Sequence, residues 1–364
     1  MFIFGRADWS VGESQRLWRL GDVAGVCASF ALLLAAAPVA RASCFSRTGP
    51  LVTVGGGRTS EYDDRSLGPS TKIDATNATW DGGGSLHTLV SFGGDSGACW
   101  HGGEIQGGYP LDAPWHTTHP SHGVRVYGLD AVVEDARIYS IGDGISFYPP
   151  TDDFVIRRVY MHDIRDDCVE GDYLPGGLIE DSLLDGCYVT FAAVPRSSDS
   201  ISDGSTKTWK IRNTLAYLRD QIGVYRGTSP GHGKFFKWPS ANGGDNPDRG
   251  PKISIRDSIF RVDSTVGDSQ EQFWIPTDSN GNSKLVSCSN NILVWGGSGP
   301  VPAELTAWPS CFTITTDISV WNDAVEAWKI AHGLGETRAS PPGDGGIPGS
   351  PPPVVEDLRR SNGL

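Results

Sequence analysis

Five carboxylates lie within ten consecutive residues near the middle of the chain, at Asp163, Asp166, Asp167, Glu170 and Asp172. Two carboxylates held close together cannot both stay ionised without help, so either the pKa of one rises or a cation binds between them. A carboxylic acid with a raised pKa can protonate a glycosidic oxygen while its partner activates water. This chemistry predicts Asp166 and Asp167 as catalytic acid and base, with Glu170 in support.

A second group of candidates lies on a basic stretch that begins at Arg219 and ends at Trp238. Its candidate catalytic residues are Arg226, His232 and Lys234. The candidate substrate-binding residues are Arg219, Tyr225, Lys237 and Trp238. A basic run beside an acidic cluster suits an anionic saccharide. In a lyase, the carboxylates would hold Ca²⁺ while Arg226, Lys234 or Lys237 removes the proton.

Each group also has a structural interpretation in which it carries no chemistry. Aspartates are common in turns, where the carboxylate binds backbone amides. The basic stretch equally fits a solvated loop in which Gly231-His232-Gly233 is a turn. Zinc binding by His116, His119 and His122 would need a helix, which two neighbouring prolines argue against.

Three short apolar segments recur around the acidic cluster at a constant 23-residue interval. They are VVEDARI at Val132–Ile138, VIRRVYM at Val155–Met161 and LIEDSLL at Leu178–Leu184. A short strand repeated at a constant period is typical of a solenoid. The acidic cluster is therefore predicted to lie on the coils of such a solenoid.

The repeat also predicts which side chains stack. Residues one coil apart in a parallel solenoid lie ~4.8 Å from each other. The 23-residue register places Asp143 over Asp166 and Tyr139 over His162. Asp143 and Asp166 are then the candidate ligands of a Ca²⁺ ion. Hydrolysis requires no cofactor, so Ca²⁺ is the one cofactor that the sequence suggests.

The repeat continues toward the C-terminus with insertions. IRNTLA, IRDSIF and CSNNIL echo IEDSLL and start at Ile211, Ile255 and Cys288, so each later coil is longer than the regular ones. The extra residues must leave the stack as loops. We predict a first strand at Lys72–Trp80. Apolar residues spaced by three and four indicate an amphipathic helix from Ser319 to Gly333, which we expect to cover the last coil.

With these coils, the chain resembles the right-handed parallel β-helix proteins of the pectin-lyase-like superfamily from about Lys72 to Thr313. Asp166-Asp167-Cys168-Val169 and Gly231-His232-Gly233 are similar to two motifs of the polygalacturonases. In that family the histidine motif follows the aspartates by about one coil, whereas His232 follows Asp167 at a much greater distance along this chain. The resemblance implies an all-β fold and a pool of chemistries that includes polysaccharide lyases and hydrolases.

Composition and charge agree with such a fold. The 364 residues include 47 glycines and 24 prolines, which suit many turns and short strands. A net charge of −13 disfavours a nucleic-acid partner. Residues 1–42 predict a cleavable signal peptide, because an apolar run precedes an Ala-Arg-Ala site before Ser43. We therefore expect a secreted or periplasmic protein with no membrane span after cleavage.

Six cysteines remain after the signal peptide, and an even number in an exported chain permits disulfides. Cys288 and Cys311 bracket one coil and are predicted to pair. Cys168 and Cys187 fall at different phases of the repeat and are predicted to be small core residues. We expect a monomer with one domain at 43–334 and a disordered Pro/Gly-rich tail at 335–364.

The sequence thus predicts a carbohydrate-active β-helix protein that acts on an acidic extracellular polysaccharide. A lyase and a hydrolase remain equally open at this level. The alternative is a non-catalytic surface or glycan-binding protein whose coils only display loops, because one fold hosts many functions.

Overall fold

The computed structural model describes residues 43–195, 202–222, 231–266 and 272–334. The chain divides into two compact units, Met1–Ser46 and Arg47–Leu364. In the first unit, the described residues contain a 3-10 helix at Cys44–Ser46. The predicted signal peptide and tail lie outside the described residues.

In the described part of the second unit, most of the regular secondary structure is β-strand. The first eleven strands are β1 Leu51–Arg58, β2 Tyr62–Leu67, β3 Lys72–Asp81, β4 Thr88–Gly94, β5 Cys99–His101, β6 Glu104–Gln106, β7 His122–Leu129, β8 Val132–Glu134, β9 Arg137–Ile141, β10 Asp143–Asp152 and β11 Phe154–Arg157. The others are β12 Tyr160–Glu170, β13 Gly177–Glu180, β14 Leu183–Ala192, β15 Thr208–Arg212, β16 Leu215–Leu218, β17 Phe236–Lys237, β18 Lys252–Arg256, β19 Ile259–Val262, β20 Leu285–Ser289, β21 Asn291–Trp295 and β22 Phe312–Thr315. Helices α1 Trp115–Thr118, α2 Ala303–Thr306 and α3 Ser319–Ala331, with a 3-10 helix at Pro247–Arg249, complete the described elements.

The strands pair in parallel with the strands of the next coil, as a solenoid requires. Sixteen of them wind through about 321° around a common axis, so the sheet closes almost into a tube. The predicted all-β parallel β-helix is confirmed. The sequence-based first strand begins as expected at Lys72, but β1 and β2 precede it. The sequence does not predict these two strands, because they are rich in exposed glycines and polar residues and lack a clear apolar alternation.

The 23-residue register is confirmed in the strand pairing. Ile156 pairs with Val133 on one side and with Ile179 on the other. The same inward column continues through Ile211 and Ile255, at the predicted longer intervals. These side chains are at most 1% exposed and form one continuous apolar core. The insertions therefore leave the stack without disturbing the core column.

A polar residue in a left-handed backbone conformation follows this column in each coil. The residues with this positive φ are Asp135, Arg158, Asp181, Asn213, Asp257 and Asn290. Asn and Asp tolerate this conformation better than most residues do. The next small residue supports the turn, since Ser182 Oγ accepts from Val159 N at 3.3 Å and Ser258 Oγ accepts from Thr214 N at 3.2 Å. Many aspartates of the repeat are thus turn residues, as the structural interpretation expects.

Two of the described disulfides cross the coils. The predicted bond between Cys288 and Cys311 is confirmed. The prediction for Cys168 and Cys187 is wrong, because these two residues also form a disulfide, with Cα atoms 5.6 Å apart. Their phases differ in the 23-residue repeat, but β12 contains a register shift between Ile164 and Asp167 that the repeat does not show. Disulfides are typical of an oxidising compartment.

Helix α3 forms where the sequence predicts it and packs through Trp321, Ala324 and Trp328. Its contacts extend beyond the last coil, which it was expected to cover. Trp328 Nε1 donates to Asp181 O at 3.2 Å, and the Trp321 ring lies 5.8 Å from the Tyr217 ring. The helix therefore runs along the side of the solenoid over several coils. None of the described helices has the length and apolarity to cross a membrane.

Candidate functional site

The candidate site lies on the outward side of five neighbouring strands. One column of paired residues runs across β7, β10, β12, β14 and β17. Its members are Arg125, Ser146, Glu170, Ala192 and Lys237. Two members that are far apart in sequence, Glu170 and Lys237, thus lie only two rungs apart.

Asp143 belongs to a second column, but its neighbour is not the predicted one. Ile145 pairs with Val169, one position later than the 23-residue register predicts, and this places Asp143 beside Asp167. Asp143 Oδ1 accepts a hydrogen bond from Asp167 N at 3.1 Å. The prediction that Asp143 stacks over Asp166 is therefore wrong, whereas Tyr139 stacks on His162 as predicted, with ring centroids 4.6 Å apart.

The shift comes from one extra residue in β12. Ile164 pairs with Cys187 and Asp167 pairs with Val189, so between these two rungs β12 advances one position more than β14 does. A β-bulge of this kind inserts an unpaired residue and redirects the neighbouring side chains. Asp166 and Asp167 lie at this irregularity, so their orientation could not be read from a constant repeat.

The interacting carboxyl groups of Asp143, Asp166, Asp167, Glu170 and Asp172 form the carboxylate cluster, and an ion pair joins this cluster to the basic stretch. Lys237 Nζ lies 2.8 Å from Asp167 Oδ2, and the Asp167 side chain is only 1% exposed. Burial alone would lower the pKa of Lys237, but the charges of Asp167 and Asp166 raise it well above its ordinary value. Lys237 is therefore a fixed cation in the middle of the carboxylates.

Asp166 has a strongly perturbed carboxyl group. Burial raises its pKa to about 8, the charge of Asp167 raises it as well, and Lys237 offsets part of the shift. The nearby Trp115 side chain slightly favours the charged form. Among the described residues, Asp166 Oδ1 is buried and has no hydrogen-bond partner. Asp166 is thus an acid that keeps its proton near neutral pH.

Glu170 has the opposite character. Burial alone would raise its pKa, but the charges of His122 and Lys237 outweigh burial. Hydrogen bonds from Ser146 and Asp172 also lower this pKa. Burial and the charge of Glu170 raise the pKa of Asp172 well above its ordinary value, and the hydrogen bond with Glu170 raises it further. Environments that push neighbouring pKa values apart are typical of acid and base pairs.

His122 completes the cluster on the other side. Its Nδ1 lies 2.8 Å from Ser146 Oγ, 3.1 Å from Asp143 Oδ2 and 3.9 Å from Glu170 Oε2. Burial and the charge of Glu170 raise the pKa of Asp143 well above its ordinary value. Ligand atoms of His122, Asp143 and Glu170 lie within 4.8 Å of one another and could hold a metal ion. The Ca²⁺ site at Asp143 and Asp166 stays a prediction.

A loop over residues 107–121 covers part of the cluster. The Arg165 guanidinium donates to the carbonyl oxygens of Pro110 at 3.1 Å and Ala113 at 2.8 Å, and also to Leu111 O. These bonds anchor the loop directly ahead of α1. Trp115, at the start of α1, packs against a small apolar cluster on β14. Arg165 thus holds the loop whose tryptophan contacts Asp166.

Three half-exposed tyrosines extend from the cluster along the same face. The Tyr148 ring lies 6.1 Å from the His122 ring, 5.2 Å from Tyr127 and 5.8 Å from Tyr173. Arg125 lies over Tyr148 at 5.4 Å. Tyrosines offer an apolar ring and a polar tip, a combination that suits the faces and hydroxyls of sugars. We call Tyr127, Tyr148 and Tyr173 the tyrosine strip.

Two predicted site residues point elsewhere. His232 is fully buried, and its ring nitrogens lie 3.1 Å from Gly233 O and 2.8 Å from Ser264 O. Trp238 is 4% exposed, belongs to the apolar core and donates to Pro251 O at 2.9 Å. Both side chains bind backbone carbonyl oxygens instead of carboxylates.

The other basic candidates are scattered. Arg219 Nη1 donates to Asp163 Oδ1 at 2.9 Å, so its partner is a different carboxylate from the one that binds Lys237. Lys234 is half-exposed, and its carbonyl accepts from Thr190 N at 3.1 Å. Tyr225 and Arg226 lie outside the described residues. Within the described part of the basic stretch, Lys237 contacts the carboxylate cluster through Asp167.

The sequence suggested His122 only as a zinc ligand and did not single out Ser146. A usable signal existed, because His122 precedes Asp143 by slightly less than one coil, and the two residues pair. A constant 23-residue interval does not predict this pair, because fewer than 23 residues separate His122 from Asp143. The contact of Trp115 with Asp166 had no comparable signal, since a loop can fold over a coil in many ways.

The chain was also compared with known proteins. No family, curated protein or solved structure matches it.

Proposed function

We propose that this protein is a secreted glycoside hydrolase that cleaves a polysaccharide, with Asp166 as general acid and Glu170 as the base that activates water. The observation that carries the proposal is the opposite shift of two neighbouring carboxyl groups. The pKa of Asp166 is raised to about 8 by burial, while that of Glu170 is lowered despite burial. Near neutral pH one group can therefore donate a proton while the other accepts one.

The roles follow from the immediate surroundings of each group. Protonated Asp166 can transfer its proton to the glycosidic oxygen as the bond breaks. Ionised Glu170, held by its hydrogen bonds with Ser146 and Asp172, can take a proton from the attacking water. The ion pair between Lys237 and Asp167 places a fixed positive charge beside both groups. This revises the role of Asp167 from base to positioning residue.

Hydrolysis fits the surroundings of Lys237 better than elimination does. A lyase needs a basic side chain that accepts a proton from the sugar. Lys237 is already a donor to Asp167, and its pKa is raised well above the ordinary value, so it stays protonated. Lys234 and Arg226 are the remaining candidates for a lyase base.

The tyrosine strip supports a saccharide substrate. Its rings adjoin the carboxylate cluster through the contact of Tyr148 with His122. Half-exposed aromatic side chains beside convergent polar groups are typical of ligand sites. A parallel β-helix that carries Asp166-Asp167-Cys168 also supports a distant relationship to the pectin-lyase-like superfamily, although an argument from fold alone is an analogy.

One observation favours the alternative of a non-catalytic glycan-binding protein. Asp143 accepts a hydrogen bond from a backbone amide, as a purely structural carboxylate does. Asp166 differs, because its buried Oδ1 has no such partner among the described residues. The contrast within one cluster makes Asp166 and Glu170 the residues to test.

The test is a panel of neutral and acidic polysaccharides assayed for new reducing ends and for the absorbance of unsaturated products. We expect reducing ends without unsaturated product. Glu170→Gln and Asp166→Asn should each lower kcat by about 10²–10⁴-fold. Glu326→Gln and Asp323→Asn, on the exposed side of α3, are matched controls and should keep full activity.

Two outcomes would overturn the proposal. Unsaturated product would identify a lyase. The absence of any product from every polysaccharide, together with wild-type glycan binding by Glu170→Gln, would favour the non-catalytic glycan-binding protein.

A further inference from the structure

A concave region lies among the C-terminal coils, away from the carboxylate cluster. It is a cavity of about 760 Å³, which falls within the ordinary size range of ligand sites. Its lining includes Gln272, Trp274, Thr277, Ser283, Glu304 and Trp308. We call this region the distal cavity.

The distal cavity continues the face that carries the carboxylate cluster. On that face Glu170 pairs with Ala192, and Ala192 pairs with Lys237. Phe235 N then donates to Gln272 O at 3.2 Å, so the segment beginning at Gln272 lies one rung further along the axis. Three rungs at ~4.8 Å each place this segment roughly 14 Å from Glu170 along the axis. A single sugar cannot touch both places, whereas an extended polymer can.

The lining of the distal cavity suits a sugar. Trp274 is half-exposed and offers an indole face. Trp308 also lines the cavity, but it is 6% exposed and belongs to the apolar core, and its Nε1 donates to Phe273 O at 2.7 Å. An amide at Gln272 and a hydroxyl at Thr277 supply neutral donors and acceptors. Such sites combine a mostly apolar wall with a few polar groups that fix orientation.

The charge of the lining selects among sugars. Within the described part of the chain, the lining contains one carboxylate, Glu304, and no lysine, arginine or histidine. A uronate bound there would meet a like charge and no compensating cation. A neutral sugar meets neither penalty. The distal cavity therefore differs in preference from the cluster around Lys237.

The geometry points to the distal cavity as a subsite for a neutral sugar unit of the polysaccharide whose chain is cleaved at Asp166 and Glu170. This inference rests on the proposed function for the identity of the cleaved bond. The inferred substrate is therefore a polymer that carries a neutral sugar roughly 14 Å from the cleaved bond, rather than a homopolymer of uronates.

Binding should be measured by calorimetry on the full chain carrying Glu170→Gln, so that no turnover occurs. The probes are xylohexaose, mannohexaose, cellohexaose and hexagalacturonate. We expect at least one neutral hexasaccharide to bind, with Trp274→Ala raising its Kd by about tenfold or more and Trp274→Phe preserving it. Glu304→Lys should improve binding of hexagalacturonate, whereas Glu326→Lys on α3 should not.

The inference is overturned if no neutral probe binds, or if Trp274→Ala leaves their affinity unchanged. Its failure is separable from failure of the hydrolase proposal. Trp274-dependent binding without cleavage of any glycan would uphold the subsite and reject the hydrolase. If cleavage occurs, Trp274→Ala should raise KM for long substrates and leave kcat unchanged, because the lost contact is uniform binding energy. Cleavage with an unchanged KM would reject the subsite alone.

Discussion

Lys237 Nζ lies 2.8 Å from Asp167 Oδ2 across 70 residues of chain, and this pair connects the acidic cluster with the basic stretch. The carboxylate is almost fully buried, whereas the ammonium keeps partial exposure. A buried charge that loses its partner is strongly destabilising, because neither water nor protein then compensates it. We therefore expect the stability of the fold, as well as the chemistry of the candidate site, to depend on this ion pair.

Replacement of Lys237 by Met should lower the free energy of unfolding by about 3 kcal/mol, because Asp167 is left buried without its cation. Urea unfolding near neutral pH measures the loss. The folded-state pKa of Lys237 is raised, so the contribution of the pair is fully present below the unfolded-state value of 10.5 and is lost as pH rises through the folded-state value.

Lys210→Met is the control, since Lys210 is exposed on β15 and should change stability by less than about 0.5 kcal/mol. The double variant Lys237→Met/Asp167→Asn should recover part of the loss. Equal stability of Lys237→Met and the wild type would contradict the assigned role of the pair.

Replacement of Asp166 by Asn should change how stability depends on pH. The folded protein holds the proton of Asp166 up to about pH 8, while an unfolded chain releases it near the ordinary value of 3.8. Stability from this proton is fully present below about pH 4 and is lost as pH rises through about 8. The unfolding free energy of Asp166→Asn relative to wild type should therefore rise by ~1.4 kcal/mol for each pH unit within this window.

Asp163→Asn should behave in the opposite way. A hydrogen bond from His162 lowers the pKa of Asp163, so its contribution is present above the unfolded-state pKa and is lost as pH falls. This variant should be least stable, relative to wild type, near neutral pH.

A pH-independent difference in unfolding free energy between Asp166→Asn and wild type would argue against the raised pKa of Asp166.

Replacement of Arg165 by Ala should release the loop over the cluster, because three carbonyl oxygens lose their donor. Hydrogen exchange of residues 108–118 should accelerate, and the loop should become a site of limited proteolysis. Arg137→Ala, at an exposed position on β9, is the control. Unchanged exchange in Arg165→Ala would mean that other contacts hold the loop.

The Cys168–Cys187 and Cys288–Cys311 disulfides allow a matched comparison. They close loops of 19 and 23 residues, so loop entropy predicts similar losses of about 3 kcal/mol when either is replaced by a pair of alanines. The first disulfide adjoins Asp166 and Asp167 in sequence, and the second lies in later coils. Thermal unfolding should show comparable losses, whereas catalytic activity should fall only without the Cys168–Cys187 bond. Equal effects on activity would refute a local role for this bond.

Much of the coil arrangement could be predicted from the sequence, because it depends on spacing alone. Ile156 pairs with Val133 and Ile179 at the predicted intervals, and Cys288 and Cys311 form the predicted bond. A chain that winds in parallel coils repeats its inward apolar residue once per coil, so the period is written directly in the sequence. The stacked ring of Tyr139 on His162 follows from the same period.

Tertiary structure decided the composition of the candidate site. One extra residue in β12 moves Asp143 from Asp166 to Asp167, and no periodicity reveals it. The insertions between later coils bring Lys237 to Asp167 but turn His232 into the interior. The sequence by itself therefore determined the solenoid and its acidic region, because both depend on regular local spacing. Which acid keeps a proton, and which base accompanies it, was decided by bulges, loops and burial, which depend on packing over the whole domain.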